Sequence, residues 1–143
     1  MNPLIQLHEF GQSPWYDYIR RGLITSGELK ALIDNDGLMG VTSNPSIFEK
    51  AIGGSTDYNQ ALKQIASSVT SVKDIYETLA VRDIQDATDL MHPVYEQSRT
   101  RDGYVSLEVS PDLAYNTQGT LDEAVRLHKA VGRDNVMIKV PAT

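Results

Sequence analysis

The chain has 143 residues, 41% of them hydrophobic and 22% charged, which is enough to bury the core of one globular domain. Its 13 basic and 19 acidic residues give a net charge of −6, and the basic residues are scattered, which argues against nucleic acid as a partner. The absence of cysteine excludes disulfides and thiolate metal sites and suits the reducing cytoplasm.

No apolar run approaches the length of a membrane span, so no membrane partner is expected. The three histidines, His8, His92 and His128, lack the paired spacing of metal ligands, so no metal site is predicted.

Strand-like segments alternate with helical ones along the chain. This order predicts an α/β fold with a parallel sheet and crossover helices. Four strands are predicted, at residues 14–17, 38–43, 104–109 and 136–140. The first has an alternative interpretation, because Ser13 and Pro14 are also typical of a helix start, with serine as the N-cap and proline in the first turn.

Helices are predicted between these strands, at residues 28–34, 56–67, 72–99 and 120–132. Gly37 stands where a left-handed residue would end the first of them. Pro93 is expected to kink or end the third. Thr120 and Glu123 have the spacing of a capping box and predict the start of the fourth. Gly53 and Gly54 lack the surrounding glycines of a phosphate loop and are interpreted as a turn.

The segment Gly-Val-Thr-Ser-Asn-Pro-Ser-Ile-Phe, residues 40–48, ends the second strand and begins a helix. Asn44 precedes a proline, which favours an extended backbone, so its side chain could project from the strand end as a two-sided hydrogen-bonding group. The alternative is that Asn44 simply caps the helix, with Pro45 as its first residue.

In the third strand, Ser106 and Glu108 share one face, while apolar residues alternate with them on the other. In a parallel sheet with the fourth strand, Glu108 and Lys139 could face the same space and form an amine and carboxylic acid pair that shuttles protons through a water. The alternative is a structural ion pair or a solvated strand face.

Lys139 lies within the apolar run Val-Met-Ile-Lys-Val, residues 136–140. Burial among apolar side chains favours a neutral amine, and a neutral amine attacks ketones and aldehydes to form a Schiff base. The alternative is a lysine whose stem lies along apolar surface while its ammonium stays in solvent.

Four segments together resemble the bacterial transaldolases, in the order in which that family has them. They are Gly-Gln-Ser-Pro-Trp-Tyr-Asp (residues 11–17), the segment at 40–48, Ser-Leu-Glu-Val (106–109) and Val-Met-Ile-Lys-Val-Pro-Ala-Thr (136–143). The resemblance implies an eight-stranded β/α barrel that moves a dihydroxyacetone unit between sugar phosphates in the pentose phosphate pathway, with neither metal nor organic cofactor.

The resemblance also implies roles for individual residues. Lys139 would be the Schiff-base nucleophile and Glu108 the acid/base that acts through a water. Asp17 would take the proton from the substrate's C4 hydroxyl as the carbon–carbon bond breaks. Asn44, Thr42 and Ser106 would hydrogen-bond substrate hydroxyls or the catalytic water. All lie near the predicted C-terminal strand ends, where barrel enzymes place their chemistry.

The chain departs from this family in length, because such a barrel needs about 250 residues. Residues 1–143 are therefore interpreted as one incomplete domain, the N-terminal half of the barrel, with about strands one to four. Alone it is expected to have little activity and to self-associate through its exposed strand edges. The alternatives are a fructose-6-phosphate aldolase-like lyase and a non-catalytic barrel fragment or binding module.

Overall fold

The computed structural model describes residues 2–65, 67 and 71–142. Four parallel strands form one sheet in the order β1-β2-β3-β4, and helical segments connect each strand to the next. The strands are β1 (Trp15–Tyr16), β2 (Gly40–Val41), β3 (Tyr104–Glu108) and β4 (Val136–Lys139). The α/β class and all four predicted strands are confirmed, although each strand is shorter than predicted. The alternative of a helix start at Ser13 and Pro14 is wrong, because the chain enters β1 there.

Seven α-helices lie among the described residues, with two short 3₁₀ helices at Leu7–Phe10 and Pro111–Leu113. The α-helices are α1 (Pro3–Gln6), α2 (Arg21–Thr25), α3 (Glu28–Asp36), α4 (Pro45–Gly54), α5 (Asn59–Ile65), α6 (Val72–Gln97) and α7 (Thr117–Val131).

Several helix predictions need correction at their ends. Gly37 has the predicted left-handed backbone after α3, with φ of 67°. Gly53 and Gly54, by contrast, are the last two residues of α4 and not a separate turn. Pro93 does not end α6, which continues to Gln97. The predicted helix at 56–67 is limited to α5, and residue 66 lies outside the described residues.

The predicted capping box is wrong, because α7 begins earlier, where the side chain of Asn116 accepts a hydrogen bond from the Gly119 N–H at 2.9 Å. The Thr120 hydroxyl instead donates to the Leu113 carbonyl at 2.8 Å. The carboxylate of Glu123 accepts the Ser110 N–H at 2.8 Å. Both side chains therefore join α7 to the loop that follows β3.

The main hydrophobic core lies between the sheet and its helices. On the strands it includes Val105 and Leu107 of β3, which are buried on the face predicted to be apolar. The long helix α6 covers them with Ile84, Ala87 and Met91. Each of the larger fully buried side chains, such as Val105, Ile84 and Met91, contributes about 1.5–3 kcal/mol. This packing leaves the opposite face of the sheet to the polar residues of β3 and β4.

A buried polar cluster joins α2 to α6. The carboxylate of Asp83, fully buried in α6, accepts hydrogen bonds from the Arg21 guanidinium at 2.7 and 2.9 Å and from the Tyr58 hydroxyl at 2.7 Å. Burial raises the pKa of Asp83 despite these hydrogen bonds, which act in the opposite direction. Burial and the nearby Asp83 charge also raise the pKa of Tyr58.

Candidate active site

The C-terminal edge of the sheet gathers the polar residues singled out in the sequence. Glu108 and Lys139 are the last residues of β3 and β4 and are direct partners in the parallel register. Thr42 and Ser43 follow β2, and Asp17 follows β1. Because all four strands are parallel, these residues lie along one edge, where open α/β sheets bind ligands.

The ammonium nitrogen of Lys139 has three polar partners. It lies 3.2 Å from Oε2 of Glu108, which confirms that the two side chains share one space. It also donates to the Ser43 carbonyl at 2.8 Å and lies 3.4 Å from Oγ1 of Thr42. Two of its three N–H donors therefore have hydrogen-bond acceptors, and the Glu108 carboxylate is its ion-pair partner. The amine must therefore give up a bound proton before it can act as a nucleophile.

The prediction that Lys139 is buried among apolar side chains is wrong. Its side chain is 40% exposed, and the neighbouring Met137 and Val140 are 43% and 52% exposed. Strand alternation explains the exposure of Met137 and Lys139, because Ile138 packs against the helix-side core while these two face the other way, and Val140 lies beyond the end of β4. The alternative of an ammonium group free in solvent is also wrong, because Ser43, Thr42 and Glu108 all contact the nitrogen.

The interpretation of Glu108 as one half of an ion pair agrees with the geometry. Its side chain is 26% exposed. Ion pairs of this exposure typically contribute about 1 kcal/mol or less to stability. The contact between Glu108 and Lys139 is thus a minor source of stability, and it leaves a carboxylate positioned to exchange a proton with the amine.

A network of hydroxyl groups connects β2 to β3 beneath the lysine. The Ser106 hydroxyl donates to Oγ1 of Thr42 at 3.0 Å. The fully buried Ser43 donates its hydroxyl to the Ser106 carbonyl at 2.6 Å and its N–H to Oγ of Ser106 at 3.3 Å. Ser43 was not predicted as a site residue, although it lies between Thr42 and Asn44 in the segment at residues 40–48.

Asn44 has the extended backbone predicted for a residue before proline, with φ of −151° and ψ of 168°. Its Oδ1 accepts the Ile47 N–H at 2.9 Å, so the capping interpretation is confirmed. Within the described part of the chain, its Nδ2 has no hydrogen-bond partner. The same side chain can therefore cap α4 and still offer a donor at the sheet edge.

Asp17 lies at the same edge but outside the lysine cluster. Asp17 is exposed, and it forms no hydrogen bond or ion pair with any residue that the structure describes. The backbone places it beside β2, because the Thr42 N–H donates to the carbonyl of Tyr16 at 2.9 Å. The structure thus brings Thr42, Ser106, Glu108 and Lys139 together and leaves Asp17 as a separate carboxylate one strand further along.

On the helix side of β3, a cavity of about 720 Å³ reaches Glu108. Apolar side chains such as Ile52, Leu79 and Leu107 dominate its lining, which also includes Tyr76. Burial, followed by the charges of Glu108 and Glu77, raises the pKa of Tyr76 to about 12. The Tyr76 phenol therefore stays protonated near Glu108 at neutral pH.

Two other kinds of feature are absent from the described residues. No group of three or more His, Asp or Glu side chains among them is placed to hold a metal ion. None of the helices in this described part is both long and apolar enough to cross a membrane.

Comparisons with known proteins all point to one family. The family model for transaldolase/fructose-6-phosphate aldolase matches residues 14–143. The chain is 46% identical to a transaldolase of Trichodesmium erythraeum over 99% of its own length, and 47% identical to transaldolase 2 of Nostoc sp. (strain PCC 7120) over 100%. A transaldolase of Thiobacillus denitrificans is also 47% identical over the whole chain. These matches cover 37%, 38% and 40% of the three relatives, so the chain spans less than half of their length.

Proposed function

Because the chain belongs to the transaldolase/fructose-6-phosphate aldolase family, we propose that it is the N-terminal half of a (β/α)8 barrel that carries the catalytic lysine of a transaldolase. Four parallel strands in sequential order, with helices on one face, are what one half of such a barrel requires. The polar edge described above then corresponds to the barrel's C-terminal face, where enzymes of this architecture place their active sites.

The proposed reaction moves a dihydroxyacetone unit from sedoheptulose 7-phosphate to glyceraldehyde 3-phosphate, giving erythrose 4-phosphate and fructose 6-phosphate in the cytoplasmic pentose phosphate pathway. The relatives named as transaldolases support this choice of reaction. The observation that carries the proposal is the 3.2 Å contact between the Lys139 amine and the Glu108 carboxylate at the ends of adjacent strands.

In the first step, Glu108 takes a proton from the Lys139 ammonium, directly or through a water. The neutral nitrogen attacks the C2 carbonyl carbon of the ketose, so that a C–N bond forms and the carbonyl π electrons move to oxygen. That oxygen receives a proton by way of Glu108. Glu108 then takes a second proton from the positively charged nitrogen and passes it to the hydroxyl, which leaves as water while the freed nitrogen lone pair forms the iminium.

In the second step, Asp17 accepts the proton of the C4 hydroxyl. The C3–C4 bond breaks, its electrons move into the iminium to form an enamine, and the aldose phosphate leaves. The enamine then attacks the acceptor aldehyde, and the steps reverse to release the new ketose. The exposed carboxylate of Asp17, with no partner among the described residues, supports this role because it is free to accept a proton.

The remaining proposed site residues hold the substrate or the catalytic water. Thr42 has a hydroxyl within reach of both Lys139 and Ser106, so a water or substrate hydroxyl can join this network. Asn44 offers the Nδ2 donor that its capping role leaves free. Such prepositioned donors favour a reactive geometry at the carbonyl carbon.

We further propose that the 143-residue chain by itself has little transaldolase activity. Four strands cannot close a barrel, and the groups that recognise the substrate phosphate would lie in the complementary half. The 40% exposure of Lys139 supports this proposal, because catalytic electrostatics are strongest in sites that exclude water.

A fructose-6-phosphate aldolase-like lyase is the second candidate, since the matching family model includes that activity. The two reactions share the Lys139 imine but differ in the fate of the enamine, which the aldolase protonates and the transaldolase transfers. Reduction with borohydride tests the shared imine on this chain. Dependence of ketose cleavage on an added aldose acceptor, in a protein of the relatives' length, distinguishes the two reactions.

A further inference from the structure

The geometry points to Ser43 as a positioning residue for Lys139, an inference that rests on the proposed Schiff-base function. Ser43 does not touch the reacting carbonyl carbon in this proposal. It acts through its own backbone carbonyl, which accepts the shortest hydrogen bond of the Lys139 ammonium, at 2.8 Å.

Two hydrogen bonds from Ser43 to Ser106 fix the position of that carbonyl. The Ser43 hydroxyl donates to the Ser106 carbonyl at 2.6 Å, and the Ser43 N–H donates to Oγ of Ser106 at 3.3 Å. Ser43 is fully buried and Ser106 is 3% exposed, so water does not compete for these hydrogen bonds. These two hydrogen bonds form a clamp that holds Ser43, two residues after β2, against the middle of β3.

This clamp determines how the Lys139 ammonium is oriented. The Ser43 carbonyl holds one N–H, and rotation about the Cε–Nζ bond is then restricted. A second N–H donates to Oγ1 of Thr42 at 3.4 Å, and the Glu108 carboxylate lies 3.2 Å from the nitrogen as its ion-pair partner. When Glu108 removes a proton from the Lys139 ammonium, the nitrogen lone pair is left on the side of Glu108 and not against the backbone of β2. A substrate carbonyl beside Glu108 then meets an aligned nucleophile.

Ser43 has no other assigned task that explains its hydroxyl. It lies between the strand β2 and the N-cap Asn44, and the cap itself uses the Asn44 side chain. A small apolar residue would fill the same buried space, yet it would leave the Ser106 carbonyl without this donor.

The test compares Ser43→Ala with Ser55→Ala in the 143-residue chain. Ser55 is the matched control, because its hydroxyl also donates to a backbone carbonyl, that of Ala51 at 2.9 Å, at the far end of α4. Two quantities are measured on each folded variant. One is the hydrogen exchange rate of the Lys139 ammonium by ¹H–¹⁵N NMR, with Lys30 as an exposed reference. The other is the initial rate of borohydride-trapped Lys139 adduct with dihydroxyacetone, which needs no phosphate site.

We expect Ser43→Ala to exchange the Lys139 ammonium protons about fivefold faster and to form the adduct about fivefold more slowly, as for the net loss of one hydrogen bond. Ser55→Ala should match the wild type in both. Ser43→Thr, which keeps the hydroxyl, should restore both rates. If Ser43→Ala does not fold, Ser43→Cys, with only a weak donor, is judged by the same measurements.

Unchanged exchange in a folded Ser43→Ala or Ser43→Cys variant overturns the positioning role, whether or not the adduct forms. Faster exchange together with no adduct in any variant supports the positioning of the ammonium while the proposed Schiff-base function fails. Faster exchange with an unchanged rate of adduct formation also overturns the inference, because the carbonyl would then hold the ammonium without affecting its attack.

Discussion

The Lys139 side chain crosses the end of β3 and donates to the carbonyl of Ser43, although β4 and β2 are not neighbours in the sheet. The side chain of Glu108, which ends the intervening strand, lies beside the same nitrogen. Three strand ends therefore converge on one amine. This convergence depends on tertiary structure, since the residues involved are far apart in sequence.

Glu108→Gln should separate catalysis from stability. Glutamine keeps the size of the side chain but cannot take up the proton, so we expect trapping of the Lys139 imine to slow by roughly a hundredfold. The free energy of unfolding should change by about 1 kcal/mol or less, because the lost ion pair is partly exposed. Timed borohydride trapping and chemical denaturation measure the two effects. A trapping rate equal to that of the wild type would remove Glu108 from the mechanism.

Glu77→Gln should have a pH-dependent effect on stability. The hydrogen bonds from Arg126 lower the pKa of the Glu77 carboxyl, and they join α6 to α7. A lowered pKa contributes stability above the ordinary value of 4.5 that is lost as the pH falls through the folded-state pKa. We expect the variant to be less stable by about 1 kcal/mol or less at neutral pH. The difference should vanish in acid, as measured by urea denaturation across pH, and a gap that widened in acid would contradict this prediction.

Asp83→Asn should show the opposite pH dependence. Burial raises the pKa of Asp83, so the stability linked to its protonated form is present below the ordinary value of 3.8 and is lost as the pH rises through the folded-state pKa. We expect the wild type's advantage over the variant to be largest in acid and smaller at neutral pH. Parallel denaturation series of the two chains measure this. A wild-type advantage that grows from acid to neutral pH would show that hydrogen bonding to Arg21 and Tyr58 outweighs burial.

Gly103→Ala should destabilise the fold strongly. Gly103 has φ of +85°, and a Cβ there would lie 2.2 Å from the backbone nitrogen of Tyr95, which cannot move without distorting α6. We expect a loss of more than about 2 kcal/mol in the free energy of unfolding. Gly53→Ala is the control, because a Cβ at Gly53 has open space and alanine favours a helix. A mild effect at Gly103 in thermal unfolding would contradict the geometry of this loop.

The isolated chain should self-associate. Its outer strands β1 and β4 each pair on one side only, and Trp15, Met137 and Val140 are 38%, 43% and 52% exposed at or beside them. We expect light scattering with size-exclusion chromatography to give a mass above that of one chain, increasing with concentration. Lys substitutions at Met137 and Val140 should reduce it. A stable, folded monomer at all concentrations would contradict the expectation.

The four strands and the shared face of Glu108 and Lys139 were predictable, because side-chain alternation and the succession of strand-like and helical segments can be read directly from the sequence. The sequence did not predict the exposure of Lys139, because an apolar run does not reveal which neighbours pack against helices. Nor did it predict Ser43, whose importance comes from a contact with Ser106, 63 positions away. The start of α7 was misplaced because Asn116 and Thr120 are both acceptable caps, and contacts with the loop after β3 decide between them.

The central claim is that Lys139 forms an imine with a ketose, and intact mass spectrometry after incubation with fructose 6-phosphate and borohydride tests it most directly. We expect one reduced adduct per chain, located at Lys139 by peptide mapping and absent from Lys139→Ala. Lys50→Ala is the matched control and should keep the adduct. An adduct that persists in Lys139→Ala, or no adduct on the wild-type chain, would contradict the claim that this chain carries a reactive Schiff-base lysine.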